Sequence, residues 1–427
     1  MSISRKTIEL AKTILILLLT INGLFLAWRT GLFSDAIAAF PVIGNVAQLM
    51  RATPNHEEPR ATIIREAARP ISIVITNEQG ERLGVRGDVA QRNLLYDQSI
   101  SIMSEAMGSA SRLSEINSEE WRIAILGPGV LFEYITPINI SIIAEWFGAG
   151  ISEIDEDVYI RRVLISFRED RSRLYFQNYQ DDLYLGADTA SMADKGHELL
   201  DFTPNGAMFA FETGIRGYEQ APYQLILQGT YHPYVRSDTI GSQQEILEAA
   251  LIVFGHYFEM PPTSLSGNAL VSFGTQFNMR VYPDGRVMYR RTDVPYIDAE
   301  QPEITLSEMI EQARLIVDGS IGEKSGEAEV KFEAIRHSEG VDRVYFGYYI
   351  AGGRIYLHDD RQAAIVSFSG GVIIDAELNF RSFYKTGEYM GILPEKQAFA
   401  AANGEFILSY SDIGQEILHP SWARVWF

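Results

Sequence analysis

Apolar residues crowd into one run near the start of the chain and afterwards come in short periodic groups. Ten strongly apolar residues, Ile14 to Leu19, Ile21 and Leu24 to Leu26, fall within Thr13 to Trp28. As a helix this span measures about 24 Å, slightly short of a bilayer's hydrocarbon core. Inserting ten such residues gains roughly 3–6 kcal/mol before the polar and small residues subtract their share. Lys12 can snorkel at one end and Trp28 suits the far interface. Three basic residues precede the span, so the positive-inside rule predicts a cytoplasmic tail over 1–12, a single transmembrane anchor over 13–30 and the body outside. A cleaved leader is the alternative, because Ala36-Ile37-Ala38 has the small-x-small form of a cleavage site. That site lies well beyond the apolar core, and the core exceeds the usual leader range. Thr20, Asn22 and Gly23 interrupt the run. An amide in hydrocarbon gains roughly 0.6–2 kcal/mol from a neighbouring helix. Asn22, with Thr20 and Gly23 beside it, is therefore the candidate membrane-helix contact; the bland alternative is an Asn22 tolerated near a polar defect.

Past the anchor, residues 31–60 read as a stalk, polar and with two prolines in "RATPNHEEPR". Structure resumes in "RPISIVITNEQGERLGVRG". Ile71, Ile73 and Ile75 alternate with Ser72, Val74 and Thr76, and Asn77 to Gly80 supply turn chemistry, which predicts a hairpin. Val89 to Met107 has helical spacing, with Leu94, Leu95, Ile102, Met103 and Ala106 on its apolar face. "NSEEWRIAIL" predicts another helix capped by Ser118. "PGVLFEYITP", "VYIRRVLISF" and "RLYFQN" read as strands, and "INISIIAEWFG" as a short helix ended by Gly148. Residues 61–240 thus form an α+β region of one or two domains.

Residues 241–427 predict a further α+β domain that uses one plan twice, over about 270–358 and 363–427. The first unit has two strands around Pro283-Asp284-Gly285, then a helix in which Thr305 and Glu308 fit a capping box. Leu306, Met309, Ile310, Ala313 and Val317 form its apolar face. "AEVKFEAIR" and "DRVYFGYYI" close the unit. In the second, Ile374, Ala376, Leu378 and Phe380 alternate with Asp375, Glu377, Asn379 and Arg381, a strand with one face buried. "LPEKQAFAAANG" is its helix, and "EFILSYSD" and "SWARVWF" its closing strands. Each unit is strand-strand-helix-strand-strand, a helix on an antiparallel sheet.

Charge and composition narrow the partners. The 427 residues carry a formal charge of −20. The first thirty hold net +3, so the remainder carries −23 and repels phosphate backbones; nucleic acid is excluded as a partner. Cysteine is absent, which removes disulfides, thiolate metal sites and a cysteine nucleophile. The seven histidines are scattered, none four residues from another, so no helical zinc pair exists. His358-Asp359-Asp360 reads as a solvated turn, Asp155-Glu156-Asp157 lacks a calcium loop's glycine, and Asp181-Asp182 is equally bland. "SFYKTG" (Ser382 to Gly387) contains S-x-x-K and K-T-G, with "SGN" at Ser266 to Asn268, the signatures of penicillin-interacting serine enzymes. Those enzymes need two lysines on separate elements, whereas Lys385 here would have to serve as both, and "SGN" comes in the wrong order. No catalytic, cofactor-binding or metal-binding residue is predicted.

The order of these pieces resembles a known family. One apolar helix ending "FLAW" leads through a stalk to "RPISIVITNEQG" and "LLYDQSISIMSEAMG". "FNMRVYPDGRVMYRR" then opens a C-terminal part with "YFGYYIAGGRIYL", "ILPEKQAFAA" and a terminal P-S-W. This chain resembles the YycH/YycI family of membrane-anchored regulators of the WalK-type sensor histidine kinase in Gram-positive bacteria. The resemblance implies a non-catalytic protein without cofactors. It would sit at the cell membrane, in a complex with the kinase and a sister YycI-like regulator, and alter kinase output through transmembrane and outer-domain contacts. A secreted or surface protein-binding module, similar to a peptidase inhibitor, is the alternative. Residues 185–243 show little of the family's character.

Overall fold

The computed structural model describes residues 68–148, 158–168, 171–178, 182–215, 217–255, 262–293, 304–402 and 404–424. The expected tail, anchor and stalk, with Thr20, Asn22 and Gly23, lie outside the described residues. Among the described residues no helix is long and apolar enough to cross a membrane.

The first large sheet has seven antiparallel strands: β1 (Ser72–Thr76), β2 (Arg82–Val85), β3 (Ser114–Glu115), β4 (Gly129–Asn139), β5 (Tyr159–Arg168), β6 (Arg171–Asn178) and β7 (Leu183–Thr189). Their spatial order is β2-β1-β4-β5-β6-β7-β3. The predicted hairpin is β1–β2. Asn77 Oδ1 accepts the amides of Gln79 and Glu81 across its turn, and Gly80 takes φ +77°. Every residue of β1 is buried, because the sheet is covered on both faces. Ile73 and Ile75 join a core with α1 (Val89–Gly108) and α3 (Ile140–Trp146). Val74 packs in a second core with Trp121 of α2 (Ser118–Leu126). Two sequence expectations shift here. Leu94 is 57% exposed, because the buried stripe of α1 runs through Leu95, Tyr96 and Ser99 instead. The cap of α2 is Asn117, not Ser118: Asn117 has extended backbone and its Oδ1 accepts the amide of Glu120.

After α4 (Ala193–His197), β8 (Met208–Phe209) and β9 (Leu225–Ile226), the chain enters β10 (Tyr231–Thr239) and α5 (Gln243–Val253). The second large sheet has eleven strands. They are β11 (Thr263–Ser266), β12 (Ala269–Phe273), β13 (Phe277–Val281), β14 (Arg286–Arg291), β15 (Glu329–Ser338), β16 (Val341–Ile350), β17 (Gly353–Leu357), β18 (Ala364–Ser369), β19 (Val372–Asn379), β21 (Phe406–Asp412) and β23 (Ser421–Arg424). Helices α6 (Leu306–Val317) and α7 (Glu395–Ala402) stand where the two predicted units put them, and Thr305 and Glu308 form the expected capping box. Leu306 lies off the stripe at 38% exposure.

The units are nevertheless not separate helix-on-sheet layers. β14 pairs with β19, β16 with β18, and β17 runs parallel to β21, so both units close one continuous sheet. An extra strand, β20 (Arg381–Gly391), leaves it to pair with β10, which also pairs with β22 (Ile417–Leu418). That three-stranded sheet ties residues on both sides of position 240 together. The described residues fall in one compact unit, with no division at 240/241.

Candidate functional site

The two large sheets meet at paired irregularities in β4 and β15. In β4 the register against β5 shifts between Glu133 and Ile138; in β15 the register against β16 shifts between Phe332 and Ala334. Such bulges re-aim side chains. Here they turn Glu333 out of the ladder, and Thr136 Oγ1 donates to its carbonyl oxygen across the joint. Gly347 makes room for the carboxylate, since a Cβ there would overlap Glu333 Oε1. A second close approach brings Gly87 against the turn at Ala351-Gly352, backbone to backbone.

Between these contacts lies a cleft of about 220 Å³ whose wall includes Arg86, Glu133, Arg161, Glu333, Arg354 and Tyr349. Glu133 is a buried residue of that wall. Its carboxylate accepts from Ser72 Oγ at 2.8 Å and Arg162 Nη2 at 2.5 Å, with Arg161 3.7 Å away. Burial pushes the Glu133 pKa up, but the fields of Arg162, Arg161 and Arg86 outweigh it and hold the group at about 2. Burial lowers Arg161 to about 9, with Glu133 opposing and Arg162 adding to the fall. Arg161 donates to Glu405 and to the Tyr134 carbonyl, standing opposite the β4 irregularity.

On the other side, Glu333 accepts from Arg354 Nε and Nη2, each at 2.7 Å, and from Tyr349 Oη at 2.7 Å. Burial, then the Glu333 charge, pushes the Tyr349 hydroxyl well above its ordinary pKa. Arg86 spans the joint to Glu395 of α7 at 3.3 Å and donates to the Leu225 carbonyl. Burial raises the pKa of Glu395, with Arg86 opposing. Gln224 meets β21 like a strand, its amide bonding both the carbonyl and the N–H of Phe406. At the mouth, Arg336 is exposed, lies 5.3 Å from the Tyr345 ring centroid and has no ion pair among the described residues.

This arrangement is equipped to hold and orient. Each carboxylate is gripped by several donors, so Glu133 stays ionised and carries no proton to give at neutral pH. The residues singled out from the sequence lie elsewhere. His358 and Asp359 pair in an exposed turn, and Arg361 reaches both Asp359 and Asp284. Ser382 sits at the start of strand β20 and not at the start of a helix; its Oγ donates to the Asp238 carbonyl at 3.4 Å. Lys385 is exposed beside Glu327, and Ser266 to Asn268 turn the chain between β11 and β12. Among the described residues no three His, Asp or Glu side chains gather as a metal site. Asp155 to Asp157 and Asp181 lie outside them. The cleft itself was not anticipated from sequence. Its signal was a charged residue inside an apolar strand run: Glu133 in "VLFEYI", Arg161-Arg162 in "YIRRVLI" and Glu333 in "VKFEAI".

No family model matches this chain, and no curated protein matches it. Among solved structures, the crystal structure of YycH from Bacillus subtilis is similar, with a TM-score of 0.52 at 13% sequence identity. The match covers 86% of this chain and 95% of that one. At this identity the likeness is one of fold, and at that level it meets the resemblance carried by the sequence pattern.

Proposed function

We propose that this chain is a non-catalytic, membrane-anchored regulatory protein whose body lies outside the cell and modulates a sensor histidine kinase. The observation that carries the reading is the fold, shared with YycH over nearly the full length of both chains. The apolar run at 13–30 supports a tether with a cytoplasmic N-terminus, and Asn22, with Thr20 and Gly23, supplies a point at which that helix touches another. A sister YycI-like regulator is the second proposed partner. Binding at the outer body would bias the kinase between two arrangements, and can do so only through different affinities for them.

The test replaces Asn22 by Leu in the full chain. Co-purification with the kinase is expected to fall, and the transcriptional output of the kinase to change. Unaltered co-purification and unaltered output would sink the helix contact. The competing reading, a released protein-binding module, predicts a mature chain starting near position 39, which mass spectrometry of the N-terminus detects.

A further inference from the structure

From β13 to β15 the eleven-stranded sheet covers one face and leaves the other open. Val287, Ala376, Val366 and Val344 fill the covered face, in the core with α6. Residues paired across strands share a face, so the ladder spells out the open one. Arg336, Arg343, Ser367, Asp375 and Arg290 stand in one row across β15, β16, β18, β19 and β14. The next row is Ala334, Tyr345, Ile365, Glu377, Met288 and, on β13, Arg280. From Arg336 to Arg290 the first row crosses four strand spacings, about 19 Å. Its Arg336 end runs into the cleft, whose wall includes Ala334, Arg336 and Tyr345.

The chain carries a net charge of −20, yet these two rows hold four arginines and two carboxylates. Asp375 is shared: Arg290 lies 3.6 Å away and Arg343 acts on it from two strands over. Glu377 acts on Arg361, in the turn where Arg361 pairs with Asp284 and Asp359 and where Arg286 stacks on Tyr282. His337 and Asp342 pair on the opposite face. Glu339, exposed in the turn after β15, forms no ion pair among the described residues. In the cleft behind, Arg86, Arg161 and Arg354 each hold a carboxylate: Glu395, Glu405 and Glu333. The uncompensated corner is therefore Arg336 beside Arg343. They are direct cross-strand neighbours, and like charges so placed repel until an anion comes between them.

We propose that this face docks an extended, acidic segment of a partner polypeptide, with one carboxylate between Arg336 and Arg343 and a second at Arg290. Guanidinium forks grip carboxylates bidentately. Side chains four residues apart on an extended chain lie about 13 Å from one another, close to the three strand spacings, about 14 Å, between Arg343 and Arg290. Tyr345, Ile365 and Met288 are half-buried along the neighbouring row and take the segment's apolar side chains, contacts that a bare polyanion leaves unused. The surface is independent of the kinase reading.

The test is fluorescence polarisation of a labelled peptide titrated with the full chain at constant ionic strength. Glu and Leu alternate at every second position of the peptide, with Ser between, over about nine residues. Saturable binding is expected. The double variant Arg336→Gln/Arg343→Gln should weaken it about tenfold, and Arg122→Gln, an exposed arginine on α2, should leave it unchanged. Replacing the peptide's Glu by Gln should abolish binding, and replacing its Leu by Ser should weaken it. In the unmutated chain the methyl resonances of Ile365 and Met288 should shift on saturation. Absence of saturable binding overturns the proposal. So does equal affinity in the unmutated chain and the double variant or, should that variant not fold, methyl resonances of Ile365 and Met288 that the bound peptide leaves in place. A Leu-to-Ser peptide and inorganic tripolyphosphate that both bind as tightly as the original peptide overturn it as well, because the face would then take any polyanion.

Discussion

Replacing Glu133 by Gln tests whether the joint between the sheets depends on charge. The side chain is 7% exposed and accepts from Arg162 at 2.5 Å and Ser72 at 2.8 Å. Gln keeps the shape but takes from Arg162, itself 2% exposed, its nearest carboxylate, leaving it Gln177 at 3.1 Å and Glu405 at 3.5 Å. Breaking one side of a buried pair costs about 3–5 kcal/mol. The acid equilibrium leads to a similar figure. A carboxyl held at about 2 against an ordinary 4.5 stabilises the folded state by about 3 kcal/mol at neutral pH. Because the folded pKa is depressed, this contribution is complete above pH 4.5 and is lost as pH falls through about 2. Urea unfolding at pH 7 should therefore place Glu133→Gln about 3–5 kcal/mol below the unmutated chain with an unchanged slope. Their stability curves should converge on acidification. Adding Arg162→Met should restore part of the loss, since the buried guanidinium that lost its nearest carboxylate is then gone. A variant within about 1 kcal/mol of the unmutated chain at pH 7, or a gap that stays constant into acid, refutes the reasoning.

Gly347→Ala puts a methyl against Glu333 Oε1; a loss of about 1–3 kcal/mol in denaturant unfolding is expected, with a smaller loss when Glu333→Ala is already present. Thr305→Ala removes the side chain that accepts the Glu308 amide at 3.2 Å and should cost about 1 kcal/mol, read from the thermal midpoint. For Lys331 the depressed base makes burial of charge costly below pH 8, and the cost recedes between pH 8 and 10.5. The unmutated chain should thus gain stability over that window relative to Lys331→Met, by up to about 3 kcal/mol, measured as the difference between their unfolding curves because tyrosines also titrate there.

Local chemistry was legible where the signal is local. The Asn77 to Gly80 turn, the Thr305–Glu308 box and the strand-strand-helix order of both C-terminal units follow from spacing and capping rules that act within a few residues. Misses occurred where distant packing decides. Leu94 fits a helical stripe as well as Leu95 does, and only the position of the first sheet beneath α1 chooses between them. The two units read as separate layers because a strand's pattern states which face is buried and not which strand lies beside it; β14 next to β19 is a choice between elements some 85 residues apart. The cleft stayed hidden for a related reason. Adjacent arginines on a strand normally point to opposite faces, so Arg161-Arg162 suggests one wet face. The irregularity in β4 lets both approach Glu133 instead. The proposed membrane contact at Thr20, Asn22 and Gly23 was legible as a chemical anomaly in a greasy run and has no counterpart among the described residues.

The chemistry of the joint decides whether the two sheets behave as one body. Sheets that meet through apolar side chains alone can slide, because dispersion has little direction. Here the two sheets meet through directed contacts spread over several elements: Arg86 to Glu395, Arg161 to Glu405, Thr136 to Glu333 and Arg92 to Glu329. Shifting one sheet against the other breaks several at once, and each buried charge left alone costs several kcal/mol. That total rivals the 5–15 kcal/mol stability of a whole domain. The sheets should accordingly unfold in one transition rather than slip past each other, and the Glu133→Gln chain should lose both together. A body joined this way should respond to a load on either sheet as one piece.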